Sequence, residues 1–245
     1  MKVVMLGATR GMGRALARRL AQRGASLFLL GRDAEELARS AADLEERGAA
    51  KPVGHAPCDL ESPEGFDAAV TAAWDGLGDP DTVIVTAGLF GTQEQLEEDL
   101  DWARRVLTVN YANTVVFCEH VKRRLLARGG GNLVVFSSVA GDRGRKPVAL
   151  YGSSKAGLSH YLESLDHKHR ADGLVTLCVK PGFVKTGMTE GLKPPPFAGD
   201  PEAVARTVEA AILKQRPLVY APFPWGWIMR VIRWMPRFVM RKVGF

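Results

Sequence analysis

The strongest constraint on the fold of this chain is the regular alternation of short apolar runs with longer amphipathic stretches. Uncharged runs at 3–6, 27–30, 82–85, 133–136 and 175–179 have the length of buried strands. Between them, apolar residues recur at intervals of three and four, as in helices that cover one side of a sheet. Apolar strands that alternate with such helices are typical of a parallel sheet buried on both faces.

We therefore predict an α/β fold with a doubly wound, Rossmann-like parallel sheet of about seven strands. Further strands are expected near Val53 and at 218–220, and Asp33 is expected to cap the N-terminus of a helix. The stretch Trp102–Leu126 predicts one long helix. Residues 1–223 form a single predicted domain, and residues 224–245, the C-terminal tail, follow as an apolar, basic, amphipathic appendage.

Composition argues against several other classes of protein. The three cysteines, Cys58, Cys118 and Cys178, stand apart without a CxxC pair or a Cys/His cluster, so no metal site and no disulfide framework is predicted. Such scattered cysteines fit a reducing cytoplasm. No apolar stretch is long enough to predict a transmembrane helix or a signal peptide. The net charge of +6 accompanies no nucleic-acid-binding motif, so no nucleic-acid partner is expected.

The turn after the first strand has the composition of a phosphate-binding loop, with the sequence Gly7-Ala8-Thr9-Arg10-Gly11-Met12-Gly13. Glycines there let the backbone approach a pyrophosphate, and the N-terminus of the following helix stabilises its charge. We predict that this turn binds a dinucleotide, with Thr9, Arg10 and Met12 among its contacts. An ordinary tight turn between a strand and a helix is the alternative.

The end of the second predicted strand indicates which dinucleotide is bound. Sites selective for NAD usually have an acidic residue there, whereas this strand ends in Gly31-Arg32. Arg10 can approach the same place, and two guanidinium groups suit a 2′-phosphate because arginine binds phosphate bidentately. We predict NADP(H), with solvated surface arginines as the alternative. Asp59 is placed either to contact the adenine or to cap the next helix.

A second group of residues has the pattern of an acid–base site. Tyr151 and Lys155 are four residues apart in a predicted helix and therefore lie on one face. A nearby ammonium lowers the pKa of a tyrosine, which would make Tyr151 a workable acid near neutral pH. Ser138 lies thirteen residues upstream of Tyr151, just past a buried strand, and Asn110 lies in the preceding long helix.

Taken together, these motifs resemble the short-chain dehydrogenase/reductase family. They occur in the family's order over about residues 1–221, as Gly7-x-x-x-Gly11-x-Gly13, Ala87-Gly88, Asn110, Ser138, Tyr151-Gly152-Ser153-Ser154-Lys155 and Pro181-Gly182-Phe183-Val184-Lys185-Thr186. The resemblance implies that Tyr151 donates a proton to a substrate carbonyl that accepts hydride from a nicotinamide. It implies that Ser138 hydrogen-bonds the same oxygen, that Lys155 lowers the tyrosine pKa and binds the nicotinamide ribose, and that Asn110 holds a water connecting Lys155 to solvent.

The resemblance also implies how the nicotinamide end is held. Ala87-Gly88 passes beneath the cofactor, and its carboxamide is positioned by Pro181, Gly182, Val184 and Thr186. Thr86 departs from the family, which usually has an asparagine there that braces the sheet, so local bracing is in doubt. Ser137 is an adjacent alternative to Ser138. Family members often pair the helices near 102–126 and 151–170 across subunits, so a homodimer or tetramer is expected.

Two further segments bear on the substrate. Arg143, Arg145 and Lys146 stand in the loop that commonly borders the substrate entrance in this family, and a basic rim suits an anionic substrate. Solvated surface charge is the alternative. The C-terminal tail combines tryptophans with interspersed arginines, and no acidic residue occurs between Pro217 and Phe245. This pattern predicts contact with a membrane surface or a lipid-linked substrate; packing on the protein's own core or on a partner subunit is the alternative.

The tail resembles that of one branch of the family, which reduces a keto intermediate in the epimerisation of decaprenylphosphoryl ribose. The principal hypothesis is therefore an NADPH-dependent carbonyl reductase acting on a small-molecule or lipid-linked, phosphorylated keto-sugar. It is expected in the cytoplasm, with peripheral contact at the inner face of the membrane. The alternatives are a 3-oxoacyl thioester or general ketone reductase and a non-catalytic NADP-binding regulatory protein. The complete Asn-Ser-Tyr-Lys set argues against the last.

Overall fold

The frame of the molecule is a seven-stranded sheet in which every pairing is parallel. The computed structural model describes residues 1–244; Phe245, the last residue of the predicted tail, lies outside them. The strands are β1 (Lys2–Leu6), β2 (Ser26–Gly31), β3 (Ala50–Pro57), β4 (Thr82–Val85), β5 (Gly131–Phe136), β6 (Leu174–Pro181) and β7 (Leu218–Ala221). Their order across the sheet is β3-β2-β1-β4-β5-β6-β7. The predicted doubly wound α/β fold is confirmed.

Helices cover both faces of this sheet. They are α1 (Gly11–Gln22), α2 (Ala34–Glu46), α3 (Phe66–Leu77), α4 (Gln93–Glu98), α5 (Leu100–Leu107), α6 (Thr114–Ala127), α7 (Ala149–His169), α8 (Pro201–Leu213), α9 (Pro224–Trp234) and α10 (Arg237–Met240). Successive strand residues alternate between the faces. Val3 and Met5 pack with α1, α2 and α8, whereas Val4 and Leu6 pack with α3, α6 and α7. Asp33 caps α2 as predicted, accepting a hydrogen bond from the backbone N–H of Glu36.

The position of the site follows from the strand order. The chain moves outward from β1 through β2 to β3 and then returns to β4 on the other side of β1. At such a reversal the loops after neighbouring strands diverge and leave a crevice at the carboxyl ends of the strands. The crevice of this protein therefore lies above β1 and β4, where the glycine-rich turn begins.

The long helix predicted over Trp102–Leu126 is interrupted. The structure has α5 and α6 separated by a π-helical segment, Thr108–Asn113, that contains Asn110. The wider turn leaves a backbone carbonyl that the side chain of Thr114 binds, since its Oγ1 donates to the carbonyl oxygen of Val109 at 2.6 Å. π-Helical turns occur frequently at functional sites. Here the extra residue sets the position of Asn110.

The C-terminal tail forms two helices that break at Pro236, which precedes α10. One face of α9 packs on the protein itself: Met229 and Ile232 are buried against Val139. The alternative prediction, packing on the protein's own core, is therefore confirmed for this face, while Trp227 and Trp234 point outward. Within residues 1–244, no helix combines the length and apolar character needed to cross a bilayer.

Candidate active site

A cleft of about 520 Å³ opens above the carboxyl ends of the central strands. Most of the predicted cofactor residues line it: Gly7, Thr9, Arg10, Gly11, Met12, Gly13, Arg32, Asp59, Ala87, Gly88 and Thr186. The wall also contains residues that no sequence motif indicated, among them Leu60, Glu61, Leu89, Val109, Met188 and Glu190. The structure thus brings the glycine-rich turn, the end of β2 and the segment after β4 into one cavity.

The glycine-rich turn is packed too closely to accept side chains. A Cβ atom on Gly13 would lie 2.2 Å from the carbonyl oxygen of Gly7, and Gly7 itself has a φ of +98°. Thr86 braces this turn, because its Oγ1 donates to the carbonyl oxygen of Gly7 at 2.8 Å. The doubt about bracing at Thr86 is thereby removed. Arg10 caps α1 without a side-chain capping bond, so the first-turn N–H groups remain available to an anion.

At the outer end of the cleft, two arginines share one carboxylate. Arg105 holds Glu61 with two hydrogen bonds of 2.9 Å, and this contact lowers the pKa of Glu61. Arg32 lies farther from the same carboxylate, with 3.4 Å between its Nη1 and Oε1 of Glu61. Because Arg105 makes the two shorter contacts with the negative charge of Glu61, the guanidinium of Arg32 remains available to a ligand. No sequence motif marked Glu61 and Arg105, which are 44 residues apart.

Asp59 lines the same end of the cleft and organises the turn after β3. Its Oδ1 accepts a hydrogen bond of 2.9 Å from the backbone N–H of Glu61. The next helical turn, Pro63–Gly65, is instead preceded by Ser62 at its N-cap position. The alternative prediction that Asp59 caps the next helix is therefore wrong, and adenine contact stays a prediction.

The predicted catalytic residues meet where β5 ends and α7 begins. Tyr151 stands in the first turn of α7, with the ring of Phe90 packed edge-on at 5.1 Å between centroids. Lys155 is buried one turn later, and its Nζ lies 5.9 Å from the centre of the Tyr151 ring. Ser138 follows β5 and caps the short helical turn Val139–Gly141, accepting from the backbone N–H of Ala140 at 3.1 Å.

The structure separates the two adjacent serines. Ser137 is buried, and its Oγ donates to the carbonyl oxygen of Lys155 at 2.9 Å and lies 2.7 Å from the Oγ of Ser159. Its hydroxyl is therefore committed to holding β5 against α7. Ser138 has no comparable interior contact and lies beside Tyr151, so Ser138 rather than Ser137 is placed to share a ligand with Tyr151.

Asn110 is fully buried and binds the segment after β4. Its Oδ1 accepts from the backbone N–H of Leu89 at 2.7 Å, and its Nδ2 donates to the carbonyl oxygen of Leu89 at 2.8 Å. A Cβ on Gly88 would lie 2.9 Å from this Oδ1 and 3.5 Å from Nζ of Lys155. Gly88 thus lines the cleft on one side and packs against Asn110 and Lys155 on the other. The water that Asn110 is implied to hold stays a prediction.

The predicted carboxamide contacts divide into two groups. Thr186 lines the cleft, whereas the side chain of Val184 is buried in the core, so only its backbone is available to a ligand. Gly182 is covered by the tail: a Cβ there would lie 2.2 Å from Nε1 of Trp225. Pro181 ends β6 just before this contact and does not line the cleft.

The basic loop after Ser138 binds the tail. Arg143 donates to the carbonyl oxygen of Met235 at 2.9 Å, and Lys146 donates to that of Arg241 at 2.7 Å. These carbonyls lie at the C-terminal ends of α9 and α10, where cations are favourable. Arg143 and Lys146 therefore each bind a backbone carbonyl of the tail, and recognition of an anionic substrate by this loop stays a prediction. Burial lowers the pKa of Arg145.

The family model for short chain dehydrogenases matches residues 1–196. The chain belongs to the short-chain dehydrogenase/reductase family. An uncharacterized oxidoreductase of Mycobacterium tuberculosis is 34% identical over 98% of this chain and 96% of its own length. Carbonyl reductase family member 4 of Xenopus tropicalis is 28% identical over 83% of this chain and 87% of its own length.

A solved structure of an actinorhodin polyketide ketoreductase variant with NADPH shares the fold of this short-chain dehydrogenase/reductase. Its TM-score is 0.82 at 24% identity, and the match covers 92% of this chain and 97% of that one. At that identity the likeness concerns the fold. The resemblance of the tail to the keto-ribose-reducing branch is tested by none of these comparisons and stays a prediction.

Burial dominates the electrostatics of the catalytic pair in this short-chain dehydrogenase/reductase. It raises the pKa of Tyr151 to about 12, although the neighbouring Ser138 hydroxyl acts in the opposite direction. It lowers the pKa of Lys155 to about 8. Nζ of Lys155 donates to the carbonyl oxygen of Phe136 at 3.1 Å, and the implied role of Lys155 in lowering the tyrosine pKa stays a prediction. At neutral pH, Tyr151 therefore holds the proton that a carbonyl substrate would receive.

Proposed function

We propose that this chain reduces carbonyl compounds with NADPH. The single observation that carries the proposal is the meeting of Ser138, Tyr151 and Lys155 where β5 ends and α7 begins. Gly88 of the cleft adjoins this group, since a Cβ there would lie 3.5 Å from Nζ of Lys155. The cradle at Gly7 and Gly13, which a Cβ would fill, suits the backbone of a dinucleotide pyrophosphate. When bound, NADPH supplies a hydride to the carbonyl carbon.

The residues of the chain account for the other half of the reaction. Tyr151, protonated at neutral pH, donates its hydroxyl proton to the carbonyl oxygen as the C=O double bond becomes a C–O single bond. Ser138 donates a hydrogen bond to the same oxygen and stabilises its developing negative charge. The Lys155 ammonium favours the tyrosinate that remains. One hydride and one proton are added, so a ketone becomes an alcohol.

The choice of NADPH over NADH rests on the charges at the outer end of the cleft. Arg10 and Arg32 line it, and Arg105 already compensates Glu61. The first carboxylate after β2 is that of Asp33, and it is used to cap α2. A 2′-phosphate would therefore meet two guanidinium groups.

Replacing Tyr151 tests the reaction. Tyr151→Phe removes the transferable proton and keeps the ring, so we expect turnover to fall at least about a hundredfold while NADPH binding persists. Tyr161→Phe is the matched control, since Tyr161 lies on the same helix and donates to Glu119. NADPH consumption should be measured by absorbance with ketones, 3-oxoacyl thioesters and keto-sugars.

The outcomes of this panel separate the candidate functions. Turnover confined to 3-oxoacyl thioesters would favour the thioester reductase over the keto-sugar reductase. Tight NADPH binding without turnover of any carbonyl compound would favour a regulatory protein. Near-normal turnover by Tyr151→Phe would show that Tyr151 is not the acid.

Replacing Arg32 tests the cofactor. Arg32→Asp exchanges a phosphate-binding cation for a carboxylate that accepts ribose hydroxyls, so we expect the ratio of NADPH to NADH efficiency to fall by about tenfold or more. Efficiency should be measured as kcat/KM for each cofactor. Arg104→Asp makes the same change of charge at an exposed position outside the cleft. An unchanged ratio in Arg32→Asp would show that Arg32 is a surface residue without a cofactor contact.

A further inference from the structure

The tail exposes a stripe of large apolar side chains, which we call the tail face. Five residues form it, each between 57% and 86% exposed: Phe223, Trp227, Val231, Trp234 and Phe238. They recur at intervals of three and four, on the side of α9 opposite Met229 and Ile232, which are buried. Proteins that remain in water seldom leave such a contiguous apolar surface uncovered, so the tail face indicates a binding partner.

The charged side chains within the tail are all of one sign. Arg230, Arg233 and Arg237 lie among or beside its apolar residues, and no acidic residue occurs between Pro217 and Phe245. Among residues 1–244, none of these three arginines forms an ion pair. The guanidinium of Arg230 lies over the ring of Trp227, 4.7 Å from its centroid. The partner should therefore be apolar and anionic.

A groove of about 480 Å³ between α8, β7 and α9 continues the tail face. Phe223 and Trp227 belong to both, and Leu218 adds a further apolar wall. Three cations line the same groove: Lys214, Arg216 and Arg230. This combination suits a molecule with an acyl chain and an anionic head group.

We propose that the tail face docks on a lipid bilayer that contains anionic phospholipid, with head groups entering the groove. The apolar stripe would enter the interface while the arginines remain at the level of the phosphates. The opposite face of α9 contacts Gly182 and Val139, so docking would place the substrate side of the cleft near the lipid surface. Docking requires no catalysis and is independent of the proposed function.

A second copy of the chain fits the tail face less well. In a two-fold symmetric contact the same patch meets itself, so the arginines Arg230, Arg233 and Arg237 of one protomer would lie against a patch that carries the same three cations. With no carboxylate in this segment, like charges would oppose each other. Anionic lipid would not repel these cations. Its electrostatic attraction for the tail face increases with each basic residue near the lipid surface.

The test is co-sedimentation of the full chain with vesicles of phosphatidylcholine alone or with phosphatidylglycerol added. The variant Trp234→Ser/Arg237→Gln removes one apolar residue and one cation from the tail face. Leu100→Ser/Arg104→Gln is the matched control, because both residues are exposed on α5. Far-ultraviolet circular dichroism and a cooperative thermal transition of each variant establish that it is folded.

We expect the unaltered chain to bind the anionic vesicles at least about tenfold more strongly than the neutral ones, and added salt to weaken this binding. The tail-face variant should lose about tenfold or more, and the control should bind as the unaltered chain does. Equal sedimentation of both variants, or no sedimentation of the unaltered chain, would overturn the proposal. Dissociation of an oligomer by the tail-face variant without any vesicle binding would assign the surface to a second copy instead.

Discussion

The charge of Lys155 depends strongly on its buried surroundings. Burial lowers its pKa to about 8, so its ammonium form is lost as the pH rises through that value. Because the ammonium stabilises the tyrosinate left after proton donation, we expect kcat/KM for NADPH to be level below this pH and to decline above it. This parameter reports ionisations of the free enzyme.

Lys155→Arg provides the comparison for that pH profile. A guanidinium stays protonated throughout the range, so the alkaline decline should vanish from whatever activity remains. Lys168→Arg, on the same helix, should keep the decline of the unaltered protein. A decline of the same midpoint in Lys155→Arg would assign the ionisation to another group.

Residue identities were easier to predict than residue orientations. The spacing of Ser138, Tyr151 and Lys155 is a property of the sequence, and the structure brings all three together. The sequence did not reveal that Nζ of Lys155 points to the carbonyl oxygen of Phe136, or that Arg143 binds the tail. Both contacts join residues far apart in the chain, so their geometry depends on tertiary packing.

At the scale of elements, the tail and the loop at 183–199 are joined by one indole ring. Trp225 covers Gly182, and its Nε1 donates to the carbonyl oxygen of Phe197 at 3.2 Å. Trp225→Ala removes both contacts, so we expect the loop to open more often and proteolytic cleavage within it to accelerate about tenfold. Limited proteolysis followed by mass spectrometry measures this rate.

Two variants define the role of that ring. Trp225→Phe keeps the packing on Gly182 but has no N–H donor, and it should fall between the unaltered protein and Trp225→Ala. Trp227→Ala removes an exposed ring of the same helix and should leave the cleavage rate unchanged. Equal cleavage in Trp225→Ala and Trp227→Ala would mean that the tail does not restrain the loop.

The predicted boundaries of helices and strands agree with the structure where the apolar pattern of the sequence starts or stops sharply. The strand predicted at 82–85 is β4, and the helix expected after Asp33 is α2. The π-helical segment Thr108–Asn113 was missed because apolar residues continue at helical intervals on both sides of it. A single extra residue in one turn changes the direction of the side chains without leaving a breaker such as proline.

At the scale of the whole molecule, the doubly wound parallel sheet could be predicted because parallel strands need right-handed crossovers, which leave few arrangements. The position of the tail could not be predicted. The sequence pattern of an amphipathic helix is the same whether its apolar face binds a bilayer, a partner or its own domain. The structure shows what one face of the tail helix contacts. Met229 and Ile232 contact the domain, and the tail face remains uncovered.

The two ends of the domain are joined by one buried carboxylate. Glu209 of α8 is 4% exposed and pairs with Arg19 of α1 and with Arg23 directly after that helix, with 2.5 Å between its Oε2 and Nη2 of Arg19. These helices lie on the same face of the sheet, and the pairing spans 190 residues of sequence. We expect Arg19→Met to lower the free energy of unfolding by about 1 to 3 kcal/mol, because it leaves a buried charge with a single partner.

A double-mutant cycle distinguishes this pairing from simple loss of packing. Arg19→Met/Glu209→Leu should be more stable than Arg19→Met alone, since replacing both members of a buried pair by apolar residues is often neutral. Arg18→Met is the control; its pair with Asp43 is about one-third exposed at both ends and should contribute less than about 1 kcal/mol. Unfolding by urea gives each free energy. Equal losses in Arg19→Met and Arg18→Met would show that Glu209 does not hold the ends of the domain together.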